Sequence, residues 1–263
     1  MIRAIDHLVI LVEDLAAASA DYAALGFAVT PGGEHADGAT HNALVVFADD
    51  TYLELIAFRR AAPEHRWWRH TALGPGLIDF ALLPGAIEQD VAAARARGLS
   101  LDDPRPGGRR RPDGQRVAWQ TALPATPDLP FLCGDVTPRE LRVPAGDARR
   151  HPNGATGIAA LTVAVADLDA SAARYRALLG RDLVQPLPTA PAGARFAAFA
   201  IGDAAIMLAQ PAGDGETSAA LEARLAGRGE GPFALALRAG GGASAGPLNP
   251  ACAHGVPIEL VVE

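Results

Sequence analysis

Residues 5–12 read IDHLVILV, a short run rich in β-branched residues that ends at Glu13 and Asp14. Such a run predicts a buried strand, and the acidic residue after it predicts a helix N-cap. The helix should occupy 15–25, with Gly26 as its left-handed stop. An extended stretch at 27–30 then meets Pro31, Gly32 and Gly33, which read as a turn. Two further strands follow at 41–47 and 51–58, separated by Ala48, Asp49 and Asp50. The unit is therefore βαβββ.

The same order starts again. A strand at 77–83 precedes a helix at 87–97 closed by Gly98, and strands are expected at 115–122 and 129–133, the first of them entered through the Arg111-Pro112-Asp113-Gly114 hairpin turn. A third copy shows as an internal repeat: a shift of 153 positions superposes Leu8 on Leu161, Val12 on Val165, Asp14 on Asp167, Tyr22 on Tyr175 and Leu25 on Leu178. A strand, a cap and a helix aromatic held in one register indicate duplication. A fourth, abbreviated unit would comprise 233–238, the glycine-rich 240–246 and 258–262. Four units make two domains of two, an α+β architecture of paired βαβββ modules in cupped mixed sheets. The punctuated stretch 144–157 separates a first domain, 1–146, from a trimmed second domain, 147–263.

Composition narrows the chemistry. The 263 residues contain 23 basic side chains, all of them arginine, against 30 carboxylates, for a net charge of -7. Without lysine there is neither a Schiff-base amine nor a phosphate loop of the G-x-x-x-x-G-K-[ST] type. An acidic chain is a poor partner for nucleic acid. With 49% apolar residues the chain has ample material for a core, and a chain of this length buries roughly 75% of its unfolded surface. Cys133 and Cys252 lie far apart, which fits neither a zinc ribbon nor a disulfide framework. No apolar run approaches the roughly 20 residues of a membrane span, so a soluble cytoplasmic protein is expected.

Period-two alternation puts Ile5, His7, Val9 and Leu11 on one face of the first strand and Asp6, Leu8 and Ile10 on the other. In the strand at 51–58, Tyr52, Glu54, Ile56 and Phe58 share a face. Glu54 thus sits in an apolar strand, where an ionised carboxylate costs several kcal/mol unless a partner meets it. His7 has the same need, and each is a candidate partner for the other.

Paired βαβββ units with a histidine on the first strand and a glutamate on the last resemble the vicinal oxygen chelate superfamily. More narrowly, IDHLVILVEDL, GGEH with HNALVVF, YLELIAF, RRRPDG and HPNGAT resemble its glyoxalase-like domain family over essentially the whole chain. The resemblance implies a divalent metal in the cup, held by first-strand and last-strand residues of two units. His7 and Glu54 match one half. In the second unit the matching positions fall at Asp79 and near Cys133, so the implied ligands are His7, Glu54 and Asp79. Against this stands a plain buried His7 and Glu54 ion pair. The equivalents in the second domain are Ala160 and Met207, which argues against the dioxygenases of the superfamily. That cup is expected to be metal-free, with Glu259 structural or partly exposed.

Other candidates surround the cup. His41 and Asn42, beside His35, are placed to bend over it and touch a substrate. Arg111, in the basic run Arg109 to Arg111, and Trp119 on the following strand suit a small anionic ligand, although a charge run is also a common solvated face. His65, Trp67, Trp68 and His70 occupy an expected short helix, where one tryptophan should be core and the other edge a pocket or a homodimer surface. The resemblance implies an enzyme acting on a small oxygen-rich molecule by isomerase, lyase or hydrolytic chemistry, with no nucleotide cofactor and with Glu54 free to move a proton. Two rivals are a binding protein that sequesters a small molecule in the same cup and a scaffold whose sheets mediate dimerisation.

Overall fold

The computed structural model describes residues 1–183, 193–240 and 242–262. Eight strands from the first half close into a barrel: β1 (Ala4–Leu11), β2 (Thr30–His35), β3 (Thr40–Val46), β4 (Tyr52–Phe58), β5 (Gly76–Leu83), β6 (Arg105–Arg110), β7 (Arg116–Ala122) and β8 (Phe131–Asp135), in the order β1-β4-β3-β2-β6-β7-β8-β5. Helices α1 (Leu15–Ala24) and α2 (Ile87–Ala96) follow the first strand of each module, and a single helical turn, α3 (Arg139–Arg142), follows β8. Asp14 caps α1 as expected, accepting from the Ala16 and Ala17 amides. This is the α+β architecture of repeated βαβββ modules read from the sequence.

One turn expectation is corrected. Pro31, Gly32 and Gly33 lie within β2, across a register shift against β3. β2 meets β6 where the two modules join, at the pairs Glu34 with Arg110 and His35 with Arg109. Each of these strands carries a glycine pair at the seam, because the backbones run close to inward side chains. A Cβ on Gly32 would run into the Asn42 amide, and one on Gly107 into the Trp119 indole.

The second half forms one six-stranded sheet. Its strands are β9 (Ala155–Ala164), β10 (Ala194–Ile201), β11 (Ala204–Pro211), β12 (Gly231–Ala239), β13 (Gly246–Pro247) and β14 (Ile258–Val262), in the order β10-β11-β9-β12-β14-β13. Helices α4 (Leu168–Leu179) and α5 (Glu216–Arg228) accompany it; α5 was not anticipated from the sequence. Gly241, inside the glycine-rich stretch expected to stand in for a helix, lies outside the described residues. The outward face of the barrel and the second sheet share one hydrophobic core, in which Leu8, Ile10, Leu53 and Leu55 join Leu161, Val163, Leu208 and Leu237. Burial at about 25 cal/mol per Å2 of apolar surface makes this shared core the main support of both halves. No helix among the described residues is long and apolar enough to cross a membrane.

Candidate functional site

The barrel interior holds a cavity of about 270 Å3, lined among others by His7, His35, Asn42, Glu54, Arg109 and Trp119. β4 delivers Glu54 through strict alternation: Leu53, Leu55 and Ala57 join the outer core while Tyr52, Glu54 and Ile56 turn inward. β1 is less regular. The register of β1 against β5 shifts between Ile5 and His7, so Ile5 packs in the outer core while Asp6 bonds inward. The expected common face of Ile5 and His7 is therefore corrected: the irregularity turns Asp6 and His7 toward neighbouring parts of the interior.

Three side chains meet at Glu54, which is only 4% exposed. Asn42 Nδ2 donates to Glu54 Oε1 at 2.6 Å. His35 Nε2 lies 3.4 Å from the same oxygen, and His7 Nε2 lies 3.5 Å from Oε2. Burial by itself raises the carboxyl pKa, but the hydrogen bond and charge of His35, the charge of His7 and the Asn42 bond outweigh it and bring Glu54 down to about 2. In the resting site the group is an anion.

Each imidazole is held from behind. His7 Nδ1 lies 2.6 Å from Asp6 Oδ2, and its ring stacks on Tyr52 with centroids 4.7 Å apart. His35 Nδ1 lies 2.8 Å from Thr40 Oγ1, and the ring meets the edge of Trp119. Burial raises the Asp6 pKa, yet Arg142 and His7 together hold it well below the usual carboxylate range. An ionised carboxylate only accepts, so His7 Nδ1 donates and Nε2 is the atom presented to Glu54.

Arg142 fixes this support. It is 2% exposed and reaches from α3 into the barrel, where Nη1 donates to Asp6 Oδ2 at 2.7 Å and to the Tyr52 hydroxyl at 2.8 Å, and Nη2 to Asp6 Oδ1 at 3.0 Å. It also pairs with Asp135. Arg139 adds a bond to Asp6 Oδ1 at 2.7 Å. Neither arginine announces itself in the sequence, because both come from a four-residue helical turn with no periodicity to read.

The expected site residues divide. His7, Asn42, Glu54 and Trp119 line the cavity. His41 does not: on β3 the inward positions are Thr40, Asn42 and Leu44, so His41 stands on the opposite face. Arg111 is also outside, lining a neighbouring cavity of about 290 Å3 and donating to the Leu141 carbonyl. Asp79 is committed elsewhere, to an ion pair with Arg66 and a bond from Trp67 Nε1 at 2.8 Å. It thereby holds Arg66 and Trp67, which do line the main cavity, Arg66 lying 4.8 Å from the Phe131 ring centre. Cys133 is buried in the wall, and burial pushes its thiol up to about 12, so it is inert.

The implied ligand set of His7, Glu54 and Asp79 is not brought together. Among the described residues no group of three His, Cys, Asp or Glu side chains is placed to hold a metal ion, and the implied third ligand, Asp79, is turned to Arg66 and Trp67. In the second half, Glu259 is exposed on β14, and Ala160 and Met207 lie on a sheet that is not closed into a barrel among the described residues.

Paired βαβββ modules closed around a buried carboxylate and imidazoles define a vicinal oxygen chelate fold. The model of the glyoxalase-like domain family matches residues 5–179, and the chain belongs to that family. A hypothetical protein from Staphylococcus aureus shares the fold over 98% of this chain and 99% of its own, with a TM-score of 0.74 and 12% identity. A mutant of 4-hydroxymandelate synthase from Streptomyces coelicolor is 18% identical, covering 90% of this chain and 71% of its own with a TM-score of 0.65. A xylose isomerase-like TIM barrel/4-hydroxyphenylpyruvate dioxygenase fusion protein is 16% identical over 90% of this chain and 36% of its own, with a TM-score of 0.54. At these identities the likeness is one of fold. No curated protein matches the chain.

Proposed function

We propose that the chain is an enzyme that moves protons on a small oxygen-bearing metabolite in the N-terminal barrel, an isomerase or lyase of the glyoxalase-like kind. The observation that carries this reading is the convergence of Glu54, His7 Nε2 and His35 Nε2 on one cavity. A binding protein needs shape and a few hydrogen bonds. Burying an anion beside two imidazoles costs desolvation free energy that binding a neutral molecule does not require.

In the proposed scheme the Glu54 carboxylate takes the acidic C–H proton of the substrate while an Nε2–H of the imidazoles beside it donates a proton to the substrate oxygen; Glu54 then returns its proton to carbon and the imidazole recovers its own from that oxygen. A carboxylate with a pKa of about 2 is a feeble base alone. A substrate that fills the cavity displaces water and draws the Nε2–H donors of His7 and His35 away from the carboxylate, and both changes raise the basicity of Glu54. Asp6, backed by Arg142, supports the charged form of His7 that lowers the Glu54 pKa and donates from Nε2. A volume near 270 Å3 is just below the range of drug-sized pockets, which fits a small metabolite.

The test is solvent-deuterium incorporation, followed by NMR, into a panel of small 2-oxo acids and hydroxyketones incubated with the protein in D2O. Incorporation that disappears in Glu54→Gln supports the enzyme. Saturable ligand binding without exchange, or exchange unaffected by Glu54→Gln, would replace it with the sequestering protein.

A further inference from the structure

The cavity contains one buried cation whose partners are incomplete. Arg109, on β6, is 4% exposed and lines the main cavity. Its Nη2 donates to the Arg142 carbonyl at 2.8 Å and its Nη1 to Asn42 Oδ1 at 3.4 Å. Its Nε has no partner among the described residues. A guanidinium carries five N–H groups, so most of this donor capacity is unspent in a place water barely reaches.

The other cations of the cavity differ in kind. Arg142 is neutralised by Asp6 and Asp135, and Arg66 by Asp79. Arg109 pairs with no carboxylate among the described residues. Asn42 stands between it and Glu54, accepting from the arginine and donating to the carboxylate. A buried, unpaired cation costs several kcal/mol unless an anion is brought to it. The fork geometry of arginine suits a carboxylate, which it can grip through two parallel N–H bonds. The cavity walls offered to the rest of a ligand are flat and apolar: Trp119, Trp67 and Phe131.

We infer that Arg109 is a substrate anchor and that the molecule taken into this cavity is a small flat carboxylate, its anionic end on the Arg109 guanidinium and its apolar body against the indoles. This inference rests on the cavity being the working site and names the substrate class for it. It places the carboxylate on the far side of Asn42 from Glu54, so that the reacting carbon, rather than the charge, faces the Glu54 anion.

The experiment titrates the protein with benzoate and with its neutral isostere benzamide, reading the quenching of tryptophan fluorescence. In the wild-type protein benzoate is expected to bind at least tenfold more tightly than benzamide. Arg109→Gln should abolish that preference, and Arg109→Lys should retain only part of it, with circular dichroism showing that each variant is folded. Equal affinity for the two probes in the wild-type protein, or a preference that survives Arg109→Gln, overturns the inference. If Arg109→Gln does not fold, the wild-type comparison and Arg109→Lys decide.

Glu54→Gln separates the two claims. It should lose deuterium exchange while keeping the preference for benzoate. In the wild-type protein, exchange without that preference refutes the anchor alone, and the preference without exchange refutes the proton-transfer scheme alone.

Discussion

Replacing Arg142 with methionine tests how the barrel keeps its polar interior. Arg142 makes charge-assisted bonds to Asp6 and Asp135 and a further bond to Tyr52, all from a side chain 2% exposed, and Asp6 is 0% exposed. Methionine supplies comparable bulk, so the loss is electrostatic rather than a large cavity. Breaking a buried pair by removing one partner costs about 3–5 kcal/mol, because the remaining charge stays buried. Arg139 still reaches Asp6 Oδ1, which puts the expectation at the lower end, about 3 kcal/mol. At about 2–4 °C per kcal/mol for a chain approaching this size, the midpoint of thermal unfolding should fall by roughly 10 °C. Denaturant unfolding measures the change directly, and Asp6→Asn combined with Arg142→Met should recover about half of it, since both charges are then gone. A loss below about 1 kcal/mol in Arg142→Met, or a double variant no more stable than the single one, would refute the view that Arg142 neutralises Asp6 behind His7.

Two further outcomes follow from the same site. Glu54 has its pKa lowered on folding to about 2 from a usual 4.5, so its stabilising contribution is complete above pH 4.5 and is lost as the pH falls toward 2; relative to Glu54→Gln, the wild-type protein should lose about 3 kcal/mol of advantage across that window, and a difference independent of pH would contradict the assignment. Elemental analysis of protein purified without chelator is expected to find far less than one divalent ion per chain; one equivalent that disappears in His7→Ala would replace the proton-transfer scheme with a metal-assisted one.

The modules were legible because βαβββ units announce themselves through alternation, an Asp cap and a stopping glycine, all local signals. Glu54 and His7 stood out for the same reason: each is a polar residue embedded in an apolar strand. The rest of the site depends on long-range geometry. The irregularity that turns Asp6 inward breaks the period-two rule between Ile5 and His7. His41 and Asn42 are neighbours in a strand, so only one of them can face the cavity, and the alternation with Thr40 and Leu44 selects Asn42. Among the three arginines of the basic run, the same alternation buries Arg109 and exposes Arg110, and β6 ends there, so that Arg111 falls to the turn. Arg142 comes from a helical turn beyond the last barrel strand, and its partners are 136 and 90 positions away. Asp79 occupies the position expected for the third ligand, but Arg66 and Trp67, from the connection between modules, take up its Oδ2 and the Phe80 amide takes its Oδ1.

The most direct test of the account is the rate of solvent-deuterium incorporation into a substrate of this cavity, measured side by side for the wild-type protein, Glu54→Gln and Glu259→Gln. Glu54 lies at the centre of the barrel site, whereas Glu259 is exposed on β14, so the two carboxylates separate the halves of the chain. The expected result is loss of exchange by at least a hundredfold in Glu54→Gln, the low end for removal of a general acid or base, with the wild-type rate retained in Glu259→Gln and unchanged thermal midpoints confirming that the Glu259 variant is intact. Exchange retained in Glu54→Gln and lost in Glu259→Gln would contradict the account and move the chemistry to the second sheet.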